Sequence, residues 1–277
     1  MDDLGIVRVR GVDAVRFLQG QLSNDVTRLS AENSLLAGYH NPQGRVIALL
    51  RLVQWDADDI LAVLPRELAG VVATKLAKFV LRAKVKVSDE SALWRVRGLV
   101  GVALTGNAGG LPTELPAVVG AQARGDAGIF VRVDDAMPRW LVVSPQSDGP
   151  PAGFAGYAVG DRLTWQRLDV AAGQPQVFAS TSEEFVAQML NLDELNAIAF
   201  DKGCYTGQEV IARAHYRGRV KRRMQRFVSP EACKLAPGES GQLADGRTFK
   251  VVLAAQLADG RCDFLGVAPM VGEQEEA

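Results

Sequence analysis

An α+β fold built in more than one part is what this sequence predicts, and three observations carry the prediction. The chain has 277 residues, more than one hydrophobic core usually organises. Short stretches of two-residue apolar alternation are interleaved with stretches of helical periodicity. Toward the C-terminus the helical segments stop, and short alternating stretches separated by Asp-Gly turns predict a small antiparallel β unit. Apolar residues make up 48% of the chain and charged residues 23%, proportions ordinary for a folded globular protein.

Taken in order, Ile6-Val7-Arg8-Val9-Arg10 alternates as a strand and Gly11 closes it. Asp13 caps a helix with Val15, Phe17, Leu18 and Leu22 on its apolar face, and the turn-forming Ser23-Asn24-Asp25 ends it. Residues 35–39 and 46–53 read as two strands joined by the turn Asn41-Pro42-Gln43-Gly44. Pro65 fits the first turn of a helix running to about residue 80, with Leu68, Val72 and Leu76 on one side. Residues 81–87 then alternate as a strand whose basic outer face carries Lys86, as a solvated edge strand would.

Strands follow at 94–104, 129–133 and 140–144, with a weak helix near 113–122 and exposed loops at 106–110 and 144–153. Ser180-Thr181-Ser182-Glu183-Glu184 has the pattern that opens a helix, here through Phe185, Met189 and Leu190. Strands near 225–228, 248–254 and 261–267 are separated by turns at Asp245-Gly246 and Asp259-Gly260. The acidic tail at 273–276 is expected to fray. The division this suggests is an N-terminal α/β part at 1–91, a second α+β part at 92–160, a linking segment at 161–218 and a C-terminal β part at 219–277.

Charge and cysteine usage narrow the classes. A net charge of −1 gives the whole molecule no bulk attraction for nucleic acid or membrane. Met1-Asp2-Asp3 lacks the basic and apolar regions of a signal peptide, and no apolar run reaches membrane-spanning length, so a cytoplasmic protein with no membrane partner is expected. Cys204, Cys233 and Cys262 are far apart and form no C-x-x-C pair, which argues against a disulfide framework, a zinc site or a self-contained iron–sulfur cage. Neither His40 nor His215 has ligand-like company, so no metal is assigned.

Residues 200–213 carry the chemistry. Thr206 and Glu209 have capping-box spacing, so a helix is expected to start near Gly207 and to stop at Gly218. Gly203 lets the chain turn sharply and present Cys204 just ahead of that helix. A helix N-terminus and nearby Lys202 would favour a nucleophilic or metal-binding thiolate. Equally, Cys204 could be a buried small hydrophobe. Beyond it, Arg213, Arg217, Arg222 and Arg223 lie in a run to residue 226 that contains no acidic residue. The run is either a footprint for a phosphate-bearing partner or a solvated face.

Lys202-Gly203-Cys204-Tyr205-Thr206-Gly207-Gln208-Glu209 resembles the signature of the YgfZ family, folate-binding relatives of the glycine-cleavage T-protein that support iron–sulfur enzymes and tRNA modification. The segment Phe17 to Val26, with its Asn24-Asp25 pair, is similar to the opening of T-protein relatives. Residues 165–175 are similar to the string that lies against the pterin in those relatives. The resemblance implies a T-protein-like fold around a central cleft with a C-terminal antiparallel β-barrel. It implies tetrahydrofolate or a related folate as cofactor, and iron–sulfur enzymes or assembly factors, with tRNA, as partners.

Within this reading Cys204 is the thiolate, Lys202 and the helix N-terminus are its activators, and Glu209 is a structural cap. Trp165 matches a folate-contacting tryptophan, and Leu4 stands where a second folate-contacting aromatic is expected. The chain departs from the aminomethyltransferases where their catalytic acids stand, at Ala48 and Leu49, and at Ala171, where a glutamate is common. Alkyl side chains cannot ionise or accept a hydrogen bond, so aminomethyl transfer is not expected. The other readings are a tetrahydrofolate-dependent one-carbon transferase or demethylase, and an RNA-binding module using the basic stretch at 213–226.

Overall fold

The two-residue alternation at the N-terminus resolves into a sheet buried on both faces. A computed structural model describes residues 1–101, 111–146, 158–218 and 220–271. The first sheet comprises β1 (Leu4–Arg10), β2 (Leu35–His40), β3 (Val46–Asp56), β4 (Asp59–Pro65) and β5 (Lys86–Asp89) in the order β2-β3-β4-β1-β5, with every pairing antiparallel. Successive side chains of a strand point to opposite faces. Val7, Val9, Leu52, Ala62 and Leu64 therefore join one core, and Ile6, Val53, Leu61 and Val63 join another. Helices α1 (Ala14–Gln19) and α2 (Arg66–Ala77) cover the first of these faces through Phe17, Leu18, Leu68, Val72 and Leu76.

The second face meets another antiparallel sheet, made of β6 (Trp94–Val100), β7 (Gln122–Gly125), β8 (Gly128–Asp134) and β9 (Arg139–Pro145) in the order β6-β9-β8-β7. Its Ile129, Val131, Val133 and Val143 interlock with Ile6, Val53 and Val63. Helix α3 (Arg162–Ala171) follows, and then α4 (Gln208–Tyr216) after a long irregular segment. The third sheet holds β10 (Arg222–Ala232), β11 (Ser240–Gln242), β12 (Thr248–Gln256) and β13 (Arg261–Pro269) in the order β10-β13-β12-β11. Helix α3 lies on it, with Gln166 Nε2 donating to Ala254 O (2.7 Å) and Arg167 Nε to Gln256 O (3.0 Å).

Several expectations are corrected. The C-terminal β-barrel is an open four-stranded sheet. Its edges β10 and β11 do not pair among the described residues, and β11 is only three residues long. Closure is not needed to bury it, because Val252, Leu265 and Val267 enter the first core and Phe249, Val251 and Phe264 form a smaller core on the other side. The helix expected from residue 180 is only a 3₁₀ turn, Ala187–Leu190. Glu183 sits at φ 65° and its N–H donates to Val46 O (2.8 Å), while Val46 N donates to Phe185 O (2.8 Å), so the segment runs along the sheet instead of coiling.

Asp13 makes no cap. Its carboxylate accepts from Lys84 N (2.7 Å), at the end of the bends over residues 81–84 that precede the short β5. Residues 113–122 contain no helix. The expected loop at 106–110, most of that at 144–153, and the acidic tail lie outside the described residues.

Candidate ligand-binding cleft

Between the first two sheets and α3 lies a cleft that is partly open to solvent. Asp161 caps α3 by accepting from Thr164 N (2.7 Å). Trp165 and Asp169, four residues apart, then share one face of the helix, and both line the cleft with Leu4, Leu49, Arg51 and Leu64. The Trp165 ring lies against Gly98 of β6, where an added Cβ would come within 2.4 Å of ring atom Cε3. Glycine at 98 is what gives the indole its place.

A fully buried arginine fixes the far wall. Arg139 is 0% exposed; its Nη1 donates to Asp169 Oδ1 (2.6 Å) and its Nε to Asp134 Oδ2 (3.0 Å). The same guanidinium lies 4.8 Å from the Trp165 ring centroid, a cation–π contact. Burial pushes the Asp169 carboxyl up to about 6 although Arg139 pulls the other way. The carboxylate that is absent at Ala171 is carried by this helix a half-turn earlier, at Asp169 beside Trp165, a residue that the sequence alone does not single out. Arg51 was missed as well. It follows Leu49 by two residues on β3 and so faces the same cleft. Its side chain has no hydrogen bond or ion pair with the described residues, and burial lowers its guanidinium to about 10 against the attraction of Asp169.

The Lys202 motif is built elsewhere. Ser23 and Asn24 tie its approach to β2: Ser23 Oγ donates to Ala197 O (2.7 Å), and Asn24 Nδ2 donates to both Leu36 O and Asn196 O (2.7 Å each). Asp25 stays local, capping a 3₁₀ turn by accepting from Thr27. Lys202 Nζ donates to Gln19 O (2.8 Å), Leu22 O (2.6 Å) and Asn24 O (2.7 Å). An ammonium has three donors, so all are taken by backbone carbonyls and none reaches Cys204. Burial lowers this ammonium to about 8. Lys202 also lies 5.1 Å from the ring centroid of Tyr205, which is buried.

Gly207, at φ 83°, is the N-cap of α4, and no side chain caps that helix among the described residues. The capping box of Thr206 and Glu209 is thus not formed: Thr206 lies one residue outside the cap, and Glu209 is an exposed residue of the first turn. A Cβ on Gly207 would meet Asn41 O at 2.6 Å and Gly44 Cα at 3.0 Å, so the motif packs backbone to backbone on the β2–β3 turn. Cys204 is exposed, which removes the buried-hydrophobe reading, and it does not line the cleft. Thr206 and Gln208 are partly exposed and Gly203 is exposed. Beneath the motif His40 is buried beside Tyr205, with both ring nitrogens unpartnered and its imidazole pushed down to about 3 by burial.

The basic stretch does not form one free stripe. Arg223 is held by Asp193 (2.8 Å) and Glu194 (3.0 Å), and Arg226 by Asp263 (2.7 Å). Arg222 reaches Thr248 O (3.2 Å). Arg213 and Arg217 are exposed, near a stacked Phe200–His215 pair with ring centroids 3.8 Å apart. Among the described residues no three His, Cys, Asp or Glu side chains cluster as metal ligands, and no helix is long and apolar enough to cross a membrane.

Three sheets, with a cleft walled by α3 and the first two of them, constitute the fold of aminomethyltransferase T. The glycine cleavage system aminomethyltransferase T from Bartonella henselae matches with a TM-score of 0.66, over 97% of this chain and 76% of that chain, at 14% identity. The tRNA-modifying protein YgfZ of Escherichia fergusonii is 30% identical over 270 residues, 94% of this chain and 82% of that protein. The protein of the same name from Escherichia coli O139:H28 matches to the same extent. No family model matches. The chain belongs to the YgfZ family.

Proposed function

We propose that this chain is a cytoplasmic folate-binding accessory protein that maintains iron–sulfur clusters and through them supports tRNA modification. The observation that carries the reading is the cleft, where the flat face of Trp165 and the carboxylate of Asp169 stand on one side of one helix. A pterin is planar and presents a row of N–H donors, so an indole to stack on and a carboxylate to accept suit it. Leu4 adds an apolar contact at the mouth, and Arg139 holds both Trp165 and Asp169 in place. A bound reduced folate would supply a one-carbon carrier. The alkyl side chains of Ala48 and Leu49 lack the carboxylate that would act on an amine beside it, which favours a binding role over aminomethyl transfer.

The curated relatives are named as tRNA-modifying proteins, which supports tRNA modification as the process served. In this reading Cys204, exposed and outside the lining of the cleft, engages a partner and not the folate. Cys204→Ala is expected to keep the fold, within about 0.5 kcal/mol as for other exposed substitutions. In cells lacking the native protein it should fail to restore cluster-dependent tRNA thiolation, measured by mass spectrometry of tRNA nucleosides. Wild-type levels of thiolated nucleosides in those cells would remove Cys204 from the function.

A further inference from the structure

We propose that Arg51 selects the cleft's ligand by an oxygen acceptor. With Asp169 it would read an edge of two donors followed by one acceptor, the edge shared by 2-amino-4-oxo pterins and by guanine. The inference rests on the folate reading of the cleft and adds to it the atom that is recognised.

Arg51 lies on β3 in register with Leu49, so its side chain enters the cleft next to a leucine and across from Asp169. Its side chain has no hydrogen bond or ion pair among the described residues. The nearby carboxylate of Asp169 is hydrogen-bonded to Arg139. Arg51 is partly exposed and its nitrogens are reached by solvent, so its donors are open to a ligand that enters the cleft. Its planar fork is suited to an oxygen approached in the plane of a ring. Asp169 can accept from a ring N–H and an exocyclic amine, and the guanidinium can donate to the carbonyl oxygen beside them. A 4-amino ring would bring donors against donors. Charge is also the reverse of what amine chemistry needs: where a carboxylate would hold a cationic amine, this strand offers only a cation.

The test compares tetrahydrofolate with its 4-amino-4-deoxy analogue at the same oxidation level, each titrated calorimetrically into wild type and into Arg51→Met. Wild type is expected to prefer the 4-oxo ligand by at least about tenfold, the effect of setting a ligand's donors against those of Arg51 in place of an acceptor. In Arg51→Met the two affinities should converge to within about threefold. Each ratio is taken within one folded protein, so a general loss of affinity does not imitate the effect. If Arg51→Met does not fold, Arg51→Lys, which keeps the charge but not the fork, should reduce the preference.

An unchanged preference in the variant would overturn the role of Arg51 and leave folate binding standing. No binding of tetrahydrofolate or of guanosine by wild type would overturn both. Guanosine that displaces tetrahydrofolate from wild type, but not from Arg51→Met, supports the same edge readout with a nucleobase as its source.

Discussion

Arg139→Met should lower the unfolding free energy by about 3–5 kcal/mol, the cost of removing one partner from a buried charge network. Arg139 has no exposed surface and holds two carboxylates from different elements, Asp134 at the end of β8 and Asp169 on α3. Methionine fills most of the stem's volume, so the loss comes from leaving Asp134 and Asp169 without their cation and not from a cavity. The sign of the pH dependence follows. Asp169 already has its folded-state carboxyl raised to about 6 by burial, so its ionised form disfavours the folded state above that pH, and losing Arg139 raises it further. The deficit of the variant should therefore be larger at pH 8 than at pH 5, as protonation removes the uncompensated charge. Denaturant melts at both pH values check this. A deficit below about 1 kcal/mol at pH 8 would mean that the network does not hold the second sheet to α3.

Lys202→Met is the second large effect, about 2–4 kcal/mol of lost stability from three carbonyl hydrogen bonds. The three acceptors, Gln19 O, Leu22 O and Asn24 O, belong to the end of α1 and the turn after it. Orphan carbonyls at a helix end need donors, and here the donor comes from 178 to 183 residues further along the chain. Methionine keeps the aliphatic stem beside Tyr205 and removes only the ammonium. Thermal melts of Lys202→Met beside Cys204→Ala should separate the two motif residues, with a clear drop for the first and almost none for the second. Equal melting temperatures for the two variants would contradict the structural role of Lys202.

Some of this was legible in the sequence and some was not, for physical reasons. The β2–β3 hairpin was legible because its turn residues have few alternatives, and α2 because its apolar spacing repeats over three turns. Strand β4 was not: all seven of its residues are buried, so the alternation that marks a half-exposed strand is missing. The signal was there in Ile60-Leu61-Ala62-Val63-Leu64, a short apolar run after an Asp-rich turn. Trp165 was singled out on resemblance, but Asp169 became a site residue only once helix spacing placed it under the same cleft. Arg51 could have been found by asking which charged residue shares a strand face with Leu49. The capping box of Thr206 and Glu209 had the right spacing but fell to Gly207, whose left-handed conformation moves the helix start one residue on. The carbonyls that bind Lys202 carry no sequence signature.

The central claim is that the cleft beside Trp165 holds a folate, and titration of tetrahydrofolate into the purified chain, followed by tryptophan fluorescence with Trp165→Ala alongside, tests it most directly. The account predicts saturable binding to wild type and at least about tenfold weaker binding to Trp165→Ala, in keeping with the loss of a stacking face. No binding to wild type at millimolar tetrahydrofolate, or equal affinity in the two proteins, would contradict it.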